Sequence, residues 1–148
     1  MQSIKVTYES FDGEQVEETL YFHLSKSELT DMELRAYPLS LKLARVTSGN
    51  ATGADAYDLM RDFIAASYGK RSEDGRRFIK DIKETESFMI SPAFDALLDK
   101  LLEDENFTMQ FMAGLFPKDI MEKAQKLLDE NPGKSPAELR AIAEAQNG

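Results

Sequence analysis

The chain has 148 residues, 42% of them apolar and 30% charged, with a net charge of −9 and no cysteine. That balance describes a folded domain with a core of its own rather than a disordered segment. The missing thiols exclude disulfides, zinc–thiolate sites and cysteine nucleophiles. The acidic excess argues against a general nucleic-acid binder and against anionic membranes. With no long apolar run at the start, no signal peptide or membrane span is expected, and a cytosolic protein is the economical reading.

Ile4, Val6 and Tyr8 alternate with Lys5, Thr7 and Glu9, the period of a half-buried strand. Asp12-Gly13 supplies a turn, and Val16, Leu20 and Phe22 line one face of a second strand. Glu18 falls on that same face and disturbs the register. Two strands alone are marginal in water, so this hairpin must lie on helices or pair with another strand. Ser25 and Glu28 form a capping box for a short helix that Pro38 forbids beyond about Arg35. Leu39 to Val46 is expected to be helical, although Leu39, Leu41 and Leu43 also fit a period of two. A loop over Ser48–Gly53 should follow.

The helix from about Ala54 to Tyr68 is expected to bury a stripe of Tyr57, Met60, Ile64 and Ser67/Tyr68, widened by Phe63. Gly69 is placed to close it in the left-handed conformation, with Lys70 and Arg71 beside the negative end of its dipole. Ser72-Glu73-Asp74-Gly75 reads as a turn, Gly75 allowing a positive φ, and Phe78 and Ile79 then re-enter the core. Lys80 to Ile90 is ambiguous, with Ile82, Phe88 and Met89 as its apolar points. Ser91-Pro92 starts a helix carrying Phe94, Leu97, Leu98, Leu101 and Leu102. After Glu103-Asp104-Glu105-Asn106, Phe107, Phe111, Met112, Leu115 and Phe116 mark the next helix, which Pro117 ends. Ile120, Met121, Ala124, Leu127 and Leu128 repeat the helical spacing. Asn131-Pro132-Gly133-Lys134 breaks it, and Ser135-Pro136 opens a last helix with few apolar contacts, expected to dock weakly or fray. The fold class expected is α+β, an N-terminal β-hairpin packed on a mainly α-helical bundle. Residues 1–117 form the main domain and 118–148 a helical C-terminal extension.

Little catalytic chemistry is on offer. His23 is the only histidine, and no nucleophile and carboxylate accompany it as a triad would require. Glu103-Asp104-Glu105 and Glu73-Asp74-Gly75 lack the alternating ligands and placed glycine of a calcium loop. No phosphate-cradling glycine loop ends in Gly-Lys-Ser/Thr, and no serine stands in a nucleophile elbow. No enzymatic activity, metal or cofactor is expected. Two partner-binding candidates remain. One is the basic cluster of Lys70, Arg71, Arg76, Arg77, Lys80 and Lys83, a contact for an acidic partner surface. Its bland alternative is compensation of the helix C-terminus plus internal pairing with Glu73, Asp74 and Asp81. Interspersed acids and the absence of stacking aromatics count against a nucleic-acid patch. The other is the apolar stripe of Phe107, Phe111, Met112, Leu115 and Phe116, which is either core or, where exposed, an adaptable groove for another helix.

Residue identities add a family to these physical readings. Ala66-Ser67-Tyr68-Gly69-Lys70-Arg71-Ser72-Glu73-Asp74-Gly75-Arg76-Arg77-Phe78 resembles the YG-x-x-S-x-DGRRF signature of tail assembly chaperones from long-tailed bacteriophages and prophages of Gram-positive bacteria. Glu18 to Leu29 resembles the family's opening, and Phe94 to Pro117 its closing helices, in the right order over roughly residues 15–117. The resemblance implies a non-structural protein of the host cytoplasm, absent from the mature virion. Such a protein holds the long, aggregation-prone tape measure protein until the tail tube assembles. It also implies contact with the major tail protein and a longer, frameshifted form of the chain as further partners. The alternative is a structural tail subunit retained in the particle.

Overall fold

The computed structural model describes residues 1–47 and 53–130. In order it contains strands β1 (Gln2–Glu9) and β2 (Gln15–Phe22), then helices α1 (Lys26–Leu34), α2 (Leu39–Thr47) and α3 (Gly53–Ser67). Strands β3 (Tyr68–Arg71) and β4 (Phe78–Ile79) follow, and then α4 (Ile82–Met89), α5 (Pro92–Glu103), α6 (Glu105–Leu115) and α7 (Lys118–Glu130). The chain divides into two compact units, Met1–Leu24 with Ile64–Leu115, and Ser25–Phe63 with the chain from Phe116 onward. The fold is α+β, with the antiparallel N-terminal hairpin followed mostly by helices, as the patterning implies.

In the first unit, Gln2 stands opposite Phe22 and Glu9 opposite Gln15, a register that puts Ile4, Val6, Leu20 and Phe22 on one face. All four are buried. They meet Phe88 of α4, Phe94, Leu97 and Leu101 of α5, and Phe111 and Leu115 of α6 in one apolar core. Phe22 is its centre. The ring is wholly inaccessible to solvent, and its centroid lies 5.3 Å from Phe111, 6.0 Å from Tyr68 and 6.3 Å from Phe88. These tilted and edge-to-face contacts suit the aromatic quadrupole.

The stretch after α3 departs from its sequence reading. Gly69 does not close the helix; among the described residues positive φ occurs only at Gly13 and Gly75. The helix instead runs directly into β3, which pairs with β2 through Phe22↔Tyr68 and Tyr21↔Gly69 and makes the sheet four-stranded. The last helical carbonyl, on Ser67, accepts the His23 N–H at 2.8 Å, so a strand supplies the donor that a glycine cap would have arranged. Lys70 and Arg71 follow the helix end, Lys70 paired with Glu84 and Arg71 over the Tyr21 ring, and Lys80 reaches back to it, its Nζ donating to the Ala66 carbonyl at 2.7 Å. Ile79, expected in the core, is 54% exposed, on a strand of only two residues. Phe78 is half-buried against His23, ring centroids 5.6 Å apart.

The ambiguous stretch before Ile90 is helical from Ile82. Asp81 caps it by accepting the N–H groups of Lys83 at 2.9 Å and Glu84 at 3.2 Å. Ser91 caps α5 in the expected way, accepting the Phe94 N–H, with Pro92 in the first turn.

In the second unit, the capping box at α1 forms. Ser25 Oγ accepts the Glu28 N–H at 3.1 Å, and Glu28 Oε1 accepts the Ser25 N–H at 3.0 Å. Helix α2 buries Leu39, Ser40, Leu41, Leu43 and Ala44. A helix covered on several sides shows no clean stripe, which is why its leucines also fit a period of two. Ala124 and Leu127 of α7 are buried in the same unit, where α7 packs on α2. Phe63 and Phe116 meet edge-to-face at 5.0 Å. Glu33 ties three elements together: its carboxylate accepts the Ser40 hydroxyl at 2.6 Å and N–H at 3.2 Å, and pairs with Lys123 at 3.5 Å. The expected loop at 48–52 and the last helix after Glu130 lie outside the described residues.

Candidate functional site

The turn between β3 and β4 is built by its own side chains. Ser72 N–H donates to the Arg77 carbonyl at 2.8 Å, and Gly75 N–H to the Ser72 carbonyl at 3.0 Å, with Gly75 at φ +73°. Ser72 Oγ donates to Asp74 Oδ1 at 2.6 Å and accepts the Arg77 N–H at 3.0 Å. Asp74 Oδ1 also accepts the Arg76 N–H at 3.0 Å. The Ser72 hydroxyl, and after it the Arg76 N–H, hold the Asp74 carboxyl below the usual aspartate range. The internal ion pairs weighed for Arg76 and Arg77 do not form among the described residues. Asp74 turns Oδ1 to the turn and Asp81 caps α4 through its own Oδ1, while both arginines lie exposed at the tip. Arg71 differs, its guanidinium standing 6.0 Å over the Tyr21 ring.

The apolar stripe divides. Phe111 and Leu115 belong to the core of the first unit and Phe116 to that of the second, each at most 5% exposed. Phe107 and Met112 are partly exposed, and Lys100 Nζ lies 5.6 Å over the Phe107 ring. Met109, on the same helix, is 69% exposed. The surface left by this helix is therefore Phe107, Met109 and Met112.

A cleft of about 300 Å³ opens beneath the sheet in the first unit, lined by Tyr8, Glu18, Tyr68, Lys70, Glu84, Ser87, Phe88, Ser91 and Ala93. Tyr8 donates its hydroxyl to Glu18 Oε1 at 3.0 Å, and Lys70 pairs with Glu84 at 3.1 Å. Burial, and then the bond to Glu18, push the Tyr8 phenol above its ordinary value. Burial does the same at Tyr68, partly opposed by Lys70. The Glu84 carboxylate in turn raises Lys70. Tyr68 packs on Phe88 with centroids 4.0 Å apart and forms part of the cleft's aromatic wall. A second opening, about 310 Å³, lies between β2 and β3 and shares Glu18, Tyr68 and Lys70 with the first. His23 lines neither opening, and among the described residues no group of three histidine, cysteine or acidic side chains is placed to hold a metal ion.

Sequence reasoning did not single out this cleft. Its one visible signal was Glu18, a charge on the inward face of β2. Tyr68 and Lys70 were hidden by their assignment to a helix end.

The first unit thus combines a self-braced basic turn with an open, aromatic-walled cleft. The chain matches the phage tail assembly chaperone family over residues 1–147 and belongs to it. No curated protein and no solved structure matches the chain.

Proposed function

We propose that this protein is a non-structural tail assembly chaperone that binds the tape measure protein, keeps it soluble and delivers it to the growing tail tube. The observation that carries this reading is membership of the tail assembly chaperone family across residues 1–147. The chain works in the host cytoplasm, is absent from the finished virion, and has the major tail protein and a frameshifted longer form of itself as further partners. Arg71, Arg76 and Arg77 contribute a contact for acidic partner surface. Their tip position, with the two terminal guanidiniums unpaired among the described residues, supports that role. Phe107 and Met112 supply the accessible part of the apolar stripe, backed by Phe111 and Leu115 in the core of the first unit, while Phe116 belongs to the core of the second. A long client is best held by weak contacts repeated at many sites, since linked weak sites multiply into strong retention.

Co-expression with the tape measure protein, followed by size-exclusion chromatography and pull-down, tests the proposal. A soluble, co-eluting tape measure supports it, and Arg76→Glu with Arg77→Glu should then weaken retention at unchanged thermal stability. A tape measure that stays insoluble while this protein elutes alone counts against it. Mass spectrometry of purified virions separates the roles, since a chaperone is missing from the particle and a tail subunit is present at fixed stoichiometry.

A further inference from the structure

The inner hairpin strand, β2, pairs with β3 only through Tyr21 and Phe22. His23 donates its N–H to Ser67 and Tyr21 stands opposite Gly69, so the odd-numbered residues of β2 turn their backbone groups toward β3. The β2–β3 ladder stops at Tyr21↔Gly69, and among the described residues Lys70 and Arg71 pair only with Ile79 and Phe78 of β4. Thr19 therefore aims its N–H and C=O groups at the opening between β2 and β3, Glu17 and Gln15 aim theirs along the same edge beyond it, and all three residues are exposed. The far edge of β1 is treated differently: α5 packs along it, and Lys100 Nζ donates to the outward Lys5 carbonyl at 2.9 Å. One edge of the hairpin is thus plugged by a lysine and the other is left as a template.

We propose that the open edge of β2, residues 15–20, binds an extended segment of another protein by strand addition, and that this segment carries a lysine or arginine on its inward face. Strand addition takes affinity from backbone hydrogen bonds and selectivity from pockets for alternate side chains. The pocket here is the cleft beneath the edge. Glu18 gives Oε1 to the Tyr8 hydroxyl, with Tyr68 across the opening, while Lys70 on the same wall is paired with Glu84 at 3.1 Å. An inward cation therefore meets two carboxylates, only one of them matched by Lys70, between aromatic walls. An inward-pointing charge also repels apolar strands, so the residue that guards the edge against aggregation admits a basic segment. A second copy of this chain is the wrong occupant. Antiparallel pairing of two β2 edges would bring Glu17 and Glu18 of each copy together on a chain of net charge −9. The inference concerns a surface and the chemistry that fills it, and does not depend on the partner being the tape measure protein.

The probe is the synthetic peptide acetyl-Thr-Lys-Val-Lys-Thr-Lys-Val-amide, with two controls, one replacing each lysine by glutamate and one N-methylated at alternate backbone nitrogens. Binding to the full-length chain is followed by fluorescence anisotropy and amide hydrogen exchange. The lysine peptide should bind and slow exchange at Glu17 and Thr19, and neither control should do so. Glu18→Gln should weaken binding about tenfold or more. Thr19→Pro should abolish it while leaving the melting temperature close to wild type, because that N–H points away from β1 and proline is tolerated at such an edge position. No binding by the lysine peptide overturns the proposal, as does binding that survives N-methylation or leaves Glu17 and Thr19 exchange unchanged. A concentration-dependent dimer that Thr19→Pro dissociates would also overturn it, by assigning the edge to a second copy. Failure of tape measure co-expression would leave these outcomes unaffected.

Discussion

Gly69 backs onto Phe78 so closely that a β-carbon at Gly69 would stand 2.6 Å from Phe78 Cε1 and 2.6 Å from the Ile79 carbonyl oxygen. The glycine is required by approach and not by conformation, since its φ is not positive. This contact lets β3 lie between β2 and β4 while Phe78 turns in against His23.

Gly69→Ala should therefore destabilise the fold by about 1–3 kcal/mol, the usual range for forced overpacking. The clash is with backbone as well as a ring, so a rotamer change alone does not relieve it. Chemical denaturation measures the loss. At Gly75 a β-carbon meets open space, and only the positive φ is strained. Gly75→Asn should cost less than Gly75→Ala there, because asparagine tolerates that region. Equal effects of these two substitutions would remove the conformational account.

Glu33→Ala should cost about 1–3 kcal/mol, because it strands the hydroxyl of Ser40, a residue 1% exposed, together with its N–H. Lys123→Ala should cost less, since its 3.5 Å ion pair is partly solvated. Thermal melts of the two variants rank them, and the reverse order would mean that the ion pair and not the hydroxyl organises the site.

The Asp74 carboxyl is depressed in the folded state, so the stability it adds is present above the ordinary aspartate range and is lost as pH falls through the folded value. Carbon-detected NMR titration should place its midpoint below that of an unstructured aspartate. The turn amides of Arg76 and Arg77 should lose exchange protection in the same acid window. Asp74→Asn should make that protection insensitive to pH there.

Tyr8 and Tyr68 have the opposite sign. Their folded values are raised, so their contribution is complete below the ordinary phenol value and disappears as pH rises through the folded ones. Phenolate absorbance should show part of the tyrosine signal emerging late in alkali, before or together with unfolding. Tyr8→Phe and Tyr68→Phe should each remove a share of that late signal. A titration in which all five tyrosines ionise together at the ordinary value would contradict the buried environment of the cleft.

Much of the fold was legible because its determinants are local. Alternation in β1 and β2 placed Ile4, Val6, Leu20 and Phe22 on one face without knowledge of what covers them. The Ser25–Glu28 box, the Ser91-Pro92 start and the turn at Gly75 depend on residues within a few positions of one another. The tail assembly chaperone family was legible in the same way, from residue identities in order along the chain.

What the sequence could not decide rests on groups far apart in the chain. Tyr68–Arg71 carries no strand pattern of its own. It is a strand because Tyr21 and Phe22 offer it a ladder and His23 satisfies the end of α3, gains that local propensity does not contain. The end of the β2–β3 ladder at Tyr21↔Gly69, which leaves Glu17 and Thr19 unpaired on that side among the described residues, is equally invisible in residue order. Likewise Phe111 and Met112 are equivalent in helical periodicity, and only packing buries the first and leaves the second partly exposed. The chain alone determined which surfaces are apolar, basic or acidic; tertiary structure decided which remain accessible, because exposure is set by neighbours that residue order does not reveal.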